Sequence, residues 1–181
     1  PEGVGQFALG LAITAPVFMF ANLQLRAAQA TDARHDYEFG HYLTLRVLLS
    51  SVALLFVAAT TALSPYSVET KLVILAIAVA KGVESVSDIY YGLLQQRQRM
   101  DKSAISMMIK GQVSLAVLAM LVRYAHQVTW GAAGVASAWA LVLLLYDLPV
   151  GRRALRASHA SSSRGETNGT ARHKPASIIW D

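Results

Sequence analysis

Residues 72–95 read LVILAIAVAKGVESVSDIYYGLLQ, and this stretch decides the fold class. The first nine residues are all apolar, whereas the rest contains three charges and several polar side chains. At about 100° per residue, an α-helix would gather the polar positions into an arc of about 100°: Lys81, Glu84, Ser85, Asp88, Gly92 and Gln95. The sequence therefore predicts a long helix with one polar face and an opposite face of Val, Ile and Leu.

The charges of this helix restrict where it can lie. Each charge near the centre of a bilayer costs about 2.5–3.5 kcal/mol, so three cost about 8–10 kcal/mol. The apolar residues between Leu72 and Val79 return only about 2–4 kcal/mol on the same scale. The polar face must therefore meet a bundle interior or a water-filled cavity. Two interpretations stay open: a translocation path or anionic-headgroup site, and a buried ion-pair network that holds helices together.

The composition of the whole chain is that of a membrane protein. Of 181 residues, 54% are hydrophobic and 15% are charged, and the mean hydropathy is +0.40. Soluble domains carry about 25% charged residues. The net charge is +5, but the cations lie between and after apolar runs, so we expect no nucleic-acid partner. The chain has no cysteine, which excludes disulfides and thiolate metal sites.

Five segments are long and apolar enough to cross a bilayer, which takes about 20 residues. We therefore predict an all-α, polytopic transmembrane helix bundle over residues 1–156. The five spans are placed at about 5–26, 40–63, 69–96, 104–124 and 130–150. Residues 157–181 are rich in Ser, Gly and Thr, and are predicted to be a flexible cytoplasmic linker followed by the start of the next segment.

The distribution of cations between the connections predicts the orientation. One set of connections contains eleven Lys and Arg residues and the other contains two. The positive-inside rule puts the first set in the cytoplasm. We therefore expect a multi-pass membrane protein whose basic connections face the cytoplasm; the resemblance given below implies that the membrane is the bacterial inner membrane. The chain begins at Pro1 and ends shortly after an apolar stretch, and we interpret it as a fragment of a longer protein.

Two further cations fall inside predicted spans, and they complete the candidate site. Arg46 lies in the second span and Lys110 in the fourth, and we expect Arg46 to offset Glu84 or Asp88. Pro16 inside the first span is either a gating hinge or a tolerated membrane-helix proline. We find no phosphate-binding loop, nucleophile elbow or metal motif, and therefore predict that the protein is not an enzyme. The candidate path residues are Arg46, Lys81, Glu84, Asp88, Gln95 and Lys110.

Three stretches carry a resemblance to a known family. They are residues 2–32, the Phe39-Gly-His-Tyr segment followed by Leu45-Arg46, and residues 81–95. Over about residues 2–155 the chain resembles the O-antigen and capsular polysaccharide flippases of the multidrug/oligosaccharidyl-lipid/polysaccharide exporter superfamily. This implies a two-lobed transporter of which the five spans are part of the N-terminal lobe, with residues 157–177 beginning the linker between lobes.

The resemblance also implies a substrate and roles for the candidate residues. Such proteins flip undecaprenyl-diphosphate-linked oligosaccharides across the inner membrane for surface polysaccharide synthesis. Arg46, Lys81 and Lys110 would contact the diphosphate, and Glu84 and Asp88 would be coupling or structural partners. The implied partners are the lipid-linked glycan, membrane lipid and the remaining spans of the intact protein. We expect no cofactor, and H⁺ and Na⁺ both stay open as coupling ions.

Three alternatives to this function remain. The first is an exporter of another lipid-linked precursor or of drugs in the same superfamily. The second is an integral-membrane glycan enzyme, which would need a large external loop bearing catalytic residues. The third is a purely structural membrane subunit.

Overall fold

The computed structural model describes residues 2–31, 38–125 and 128–156, and all regular structure in these ranges is helical. The helices are α1 (Glu2–Ala21), α2 (Leu25–Thr31), α3 (Phe39–Leu63), α4 (Val68–Gln96), α5 (Met100–Ala125) and α6 (Val128–Val142). A π-helical turn, Leu143–Asp147, continues α6 into a helical segment that reaches residue 156. The prediction of an all-α fold is confirmed.

Four helical stretches of the described chain are long and apolar enough to cross a membrane. They are Gly3–Thr31, Phe39–Leu63, Met100–Met120 and Thr129–Arg156. The fifth predicted span, α4, has 29 residues and a length of about 43 Å, so it is also long enough. It is less apolar than the other four, because it contains Lys81, Glu84, Asp88 and further charges near its start.

Helix α4 occupies the centre of the bundle, which explains how it tolerates these charges. It packs against α1, α2, α3, α5 and α6. One apolar cluster joins α1, α3 and α4 around Phe18, Val57 and Ile74, and a second joins α4 to α6 through Val73 and Ala132. Most of α4 therefore contacts protein, whereas the face that carries Lys81, Glu84 and Asp88 is half-exposed.

The first span is two helices, α1 and α2, separated by a break at residues 22–24. Helix α1 runs through Pro16 without ending, and the break follows six residues later. Leu23 and Gln24 have φ angles of 43° and 53°. Left-handed backbone costs about 1–2 kcal/mol at each non-glycine residue, so neighbouring groups must hold the break in place.

The ends of α3 and α4 are joined by a short turn with its own hydrogen bonds. The Ser67 hydroxyl accepts the backbone N–H of Thr70 at 3.3 Å and caps the start of α4. Lys71 Nζ donates to the carbonyl of Ala62 at 3.0 Å, in the last turn of α3. These contacts make α3 and α4 neighbours, as their short connection predicts. The division into a bundle and a linker stays a prediction, because residues 157–181 lie outside the described ranges.

Candidate functional site

The half-exposed face of α4 begins with an ion pair. Lys81 Nζ donates to Glu84 Oε2 at 2.7 Å across one helical turn. Their side chains are 30% and 40% exposed, so both reach the surface of the bundle. Among the described elements, no helix covers this pair fully. Lys81 is therefore a cation that remains accessible on the central helix of the bundle.

A second ion pair lies two turns further along the same face. Arg26 of α2 approaches Asp88 at 3.6 Å, and these side chains are 35% and 27% exposed. The residue that offsets Asp88 by direct contact is thus Arg26, which sequence reasoning had placed only at the end of a span. Gln95 is half-buried at the far end of the face, and its carbonyl accepts the backbone N–H of Gln98 at 2.9 Å.

Arg46 is buried at the break between α1 and α2. It is 1% exposed, and its Nη1 donates to the Asn22 carbonyl at 3.2 Å and to Asn22 Oδ1. Ser85 Oγ of α4 donates to the same Oδ1 at 3.0 Å. The guanidinium therefore binds both oxygens of Asn22 at the break, where the carbonyl also accepts the Leu25 N–H at 3.0 Å, and together with Ser85 it ties α3, α1 and α4 together. Arg46 attracts Asp88 at longer range. The cation that offsets the charge of Asp88 by direct contact is therefore Arg26, and not Arg46 as we expected from the sequence.

Lys110 is the centre of a buried polar cluster between α4, α5 and α6. Its Nζ donates to Ser87 Oγ at 2.6 Å, Tyr91 Oη at 2.8 Å and Asp147 Oδ2 at 2.9 Å. An ammonium has three protons, so these contacts use all of them. Lys110 and Asp147 are 9% and 2% exposed. This arrangement is a fully buried, hydrogen-bonded ion pair.

The carboxylate of this pair, Asp147, closes the π-helical turn. Besides Lys110, it accepts a hydrogen bond from Ser106 Oγ of α5, and Tyr91 Oη lies 3.5 Å away. A π-turn holds one extra residue compared with an α-turn and is often found at functional sites. Here the turn directs a carboxylate into the bundle instead of toward lipid.

Sequence reasoning missed Asp147, although a signal for it was present. Asp147 is the one charged residue of the predicted span 130–150, and Lys110 needs an anionic partner to be buried. Ser87 and Tyr91 of α4, and Ser106 and Lys110 of α5, each lie four residues apart and so share a helix face. A search for an acid within every span would have found the pair.

The ring of Tyr91 lies between the two ion pairs. Arg26 Cζ is 5.6 Å from the ring centroid and Lys110 Nζ is 5.1 Å from it. Cations at such distances are attracted by the aromatic face. Tyr91 thus contacts a half-exposed cation on one helix and a buried cation on another.

The docking of α2 beside this ring depends on Gly92. Gln29 is 1% exposed, and in the amide orientation that satisfies both of its ends it donates to the Ile89 carbonyl and accepts from the Leu93 N–H, at 3.1 and 3.3 Å. A Cβ at Gly92 would lie 2.7 Å from the Gln29 amide. Glycine at this position therefore leaves room for the Gln29 amide to hold α2 against α4, and an added methyl group would force that amide to move.

An apolar cleft of about 350 Å³ opens beside Lys81, between α1, α4, α5 and α6. Its walls are mostly aliphatic and aromatic, and include Phe7, Leu115, Leu118, Val135 and Trp139. Trp139 Nε1 is fixed by a 2.6 Å hydrogen bond to Ser114 Oγ. The cleft thus combines apolar walls with one ammonium group. Within the described residues, no group of three His, Cys, Asp or Glu side chains is arranged to hold a metal ion.

Comparison with known proteins identifies the family. The model of the family described as polysaccharide biosynthesis protein matches residues 1–170. The capsular polysaccharide biosynthesis protein CapF of Staphylococcus aureus is 29% identical over 126 residues, which are 70% of this chain and 31% of that protein. The chain therefore corresponds to about a third of that relative's length. No solved structure gives a significant match. The likeness to polysaccharide flippases that the sequence indicated is confirmed at the level of the family, and the chain belongs to the polysaccharide biosynthesis protein family.

Proposed function

We propose that the intact protein moves a polyprenyl-diphosphate-linked oligosaccharide across the bacterial inner membrane, and that this chain supplies part of the path. Membership of the family supports a role in polysaccharide biosynthesis or export. The single observation that carries the finer proposal is the position of Lys81. It is a half-exposed cation, within a membrane-spanning bundle, at the edge of an apolar cleft.

The chemistry of the proposed substrate fits this position. A lipid-linked diphosphate joins an anionic headgroup to a long apolar chain, so its site needs cations next to an apolar surface. Lys81 and the cleft provide both. Asp88, which holds Arg26, is seven residues from Lys81, or about 10 Å along the helix. Phosphate oxygens accept charge-assisted hydrogen bonds as carboxylates do, so a headgroup would replace Glu84 and Asp88 as partner of the two cations.

The candidate path residues divide into two groups on this proposal. Lys81, Glu84, Asp88 and Gln95 lie on the half-exposed face, together with Arg26. Arg46 and Lys110 lie inside the bundle, where internal acceptors already hold them. In the conformation described, we therefore propose that Lys81 and Arg26 bind the headgroup. Arg46 and Lys110 instead hold the helices together.

The position of the half-exposed charged groups along α4 favours a transporter over a glycan enzyme. The half-exposed charged groups of α4 are paired cations and carboxylates along one face of a helix inside the bundle. A path for a charged headgroup requires such a row, whereas glycan transfer outside the membrane requires groups beyond its surface. A transporter of another lipid-linked diphosphate would use the same cations.

The test is export by the intact protein carrying Lys81→Ala. A lost charged hydrogen bond is worth about 1.5–3 kcal/mol, so we expect surface polysaccharide synthesis to fall by about tenfold or more while the protein still accumulates. Lys71→Ala is the matched control. Among the described residues, the Lys71 ammonium donates to a carbonyl at the turn between α3 and α4, so its loss should leave export unchanged. Wild-type export by Lys81→Ala would refute the proposal.

Binding of the purified intact protein to lipids separates the substrate classes. Undecaprenyl-diphosphate-linked sugar should bind, and Lys81→Ala should weaken this binding by a similar factor. Equal binding of a neutral polyprenol, or of cationic drugs, would instead support the alternative exporter.

A further inference from the structure

The buried cluster around Asp147 has no role in the proposed headgroup site, yet it has features that static packing does not require. It places a carboxylate, an ammonium and a phenol within hydrogen-bond reach on three helices. It also uses a π-helical turn to bring Asp147 inward. Ionisable groups buried in membrane helices commonly belong to ion or proton pathways.

The occupant of this cluster is limited by Lys110. Its ammonium already lies 2.9 Å from Asp147 Oδ2, in the position that a metal cation would need beside that carboxylate. A sodium ion there would face a second positive charge at close range. A proton needs no such space, because it binds to the carboxylate itself.

The charged and titratable groups that face Asp147 come from every element packed around it. They are Lys110 of α5, Tyr90 and Tyr91 of α4, and Tyr146 and Arg152 on its own helix. Arg26 of α2 and its partner Asp88 lie beyond the Tyr91 ring, and Asp101 of α5 acts on the neighbouring Tyr146 from the surface. Lys110 is the cation in direct contact with Asp147. The Tyr91 ring lies between Lys110 and Arg26, the direct partner of Asp88, and Lys110 attracts Asp88 more weakly across this distance. Lys110 therefore interacts with two acids, one buried and one half-exposed.

We propose that Asp147 is a proton-binding site, and that its protonation is coupled through Lys110 to the Arg26–Asp88 pair on the half-exposed face of α4. A proton from water converts the carboxylate to a neutral carboxylic acid and ends its ion pair with Lys110. The ammonium keeps its hydrogen bonds to Ser87 and Tyr91, and Asp88 becomes its remaining anionic neighbour. This interaction competes with Arg26, whose 3.6 Å contact with Asp88 is long.

The coupling has a defined sign. Protonation of Asp147 releases Arg26 for an anionic headgroup, so headgroup binding strengthens as the pH falls. By reciprocity, binding of the headgroup favours uptake of the proton. Both statements about the headgroup depend on the proposed function, whereas the proton site itself does not.

The proton site is tested by infrared difference spectroscopy on the intact protein without substrate. Acidification should produce the carbonyl stretch of a protonated carboxylic acid, and Asp147→Asn should remove that band. The Asp101→Asn variant is the matched control, because Asp101 lies on the surface, paired with Arg99 and Lys102, and its loss should leave the band in place. Absence of an Asp147-dependent band at every pH at which the protein stays folded would overturn the site.

The coupling is tested by binding of undecaprenyl-diphosphate-linked sugar, whose two phosphates keep their charge as the pH changes. One linked proton makes the dissociation constant fall by up to about tenfold per pH unit of acidification. Asp147→Asn mimics the protonated acid, so it should bind tightly and without pH dependence. Wild-type pH dependence in Asp147→Asn would overturn the coupling. If the wild-type protein binds no diphosphate lipid at any pH, the proposed function fails, and the infrared band decides the proton site separately.

Discussion

Lys110→Met should destabilise the intact protein far more than a change at a surface ion pair. The substitution removes three hydrogen bonds, at 2.6, 2.8 and 2.9 Å, and leaves Asp147 buried without its cation. Removal of one partner of a buried pair costs about 3–5 kcal/mol. If Asp147 takes up a proton, part of this loss is recovered, so the deficit should shrink as the pH falls. The measurement is the unfolding midpoint of the purified protein in detergent at two pH values.

A double-mutant cycle shows whether the loss comes from the pair. Lys110→Met with Asp147→Asn leaves no charge in this cluster, so we expect the double variant to be more stable than Lys110→Met alone. Lys102→Met is the control: Lys102 lies 3.8 Å from Asp101 at the surface, and such pairs contribute about 0–1 kcal/mol. Additive losses in the cycle, or a Lys110→Met variant as stable as Lys102→Met, would refute the account of the buried pair.

Two further substitutions test how the helices are held. Arg46→Ala removes two hydrogen bonds from a buried guanidinium to Asn22, each worth about 1.5–3 kcal/mol. It should therefore lower the amount of protein in the membrane. If the protein accumulates normally and export is lost, Arg46 belongs to the translocation path instead. Gly92→Ala places a methyl group 2.7 Å from the Gln29 amide and should displace α2, read as faster protease cleavage near residue 31. Gly111→Ala, with no atom within 4 Å of the added methyl, should leave cleavage unchanged, and equal cleavage in both variants would contradict the docking of α2.

The parts of the fold that depend on composition and periodicity were predictable. Apolar runs marked the helices, and the 100° period placed Lys81, Glu84 and Asp88 on one face of α4. The structure shows all three half-exposed on that face. The reason is that both signals are properties of a single helix, so they do not depend on which neighbour it meets.

The contacts between helices were harder to predict. Arg46 was expected to meet an acid of α4, but its direct partner is Asn22, at a break that has no glycine or proline to mark it. Next to the left-handed Leu23 and Gln24, Asn22 is bound by Arg46 and Ser85 of other helices, and such contacts leave no local pattern in the sequence. Asp147 was missed for a similar reason, because its inward direction comes from the π-helical turn and not from the α-helical period.

The central position of α4 also has a consequence for biosynthesis. Taken alone, α4 is unfavourable in lipid by several kcal/mol on insertion scales, because its three mid-helix charges outweigh its apolar run. Its partners Arg26 and α3 are made before it, whereas α5 and α6, which cover its other side, emerge from the ribosome later. We therefore expect α4 to be retained beside the earlier helices at the insertion machinery until α5 and α6 have been synthesised. The order of synthesis then determines when the polar face of α4 is enclosed.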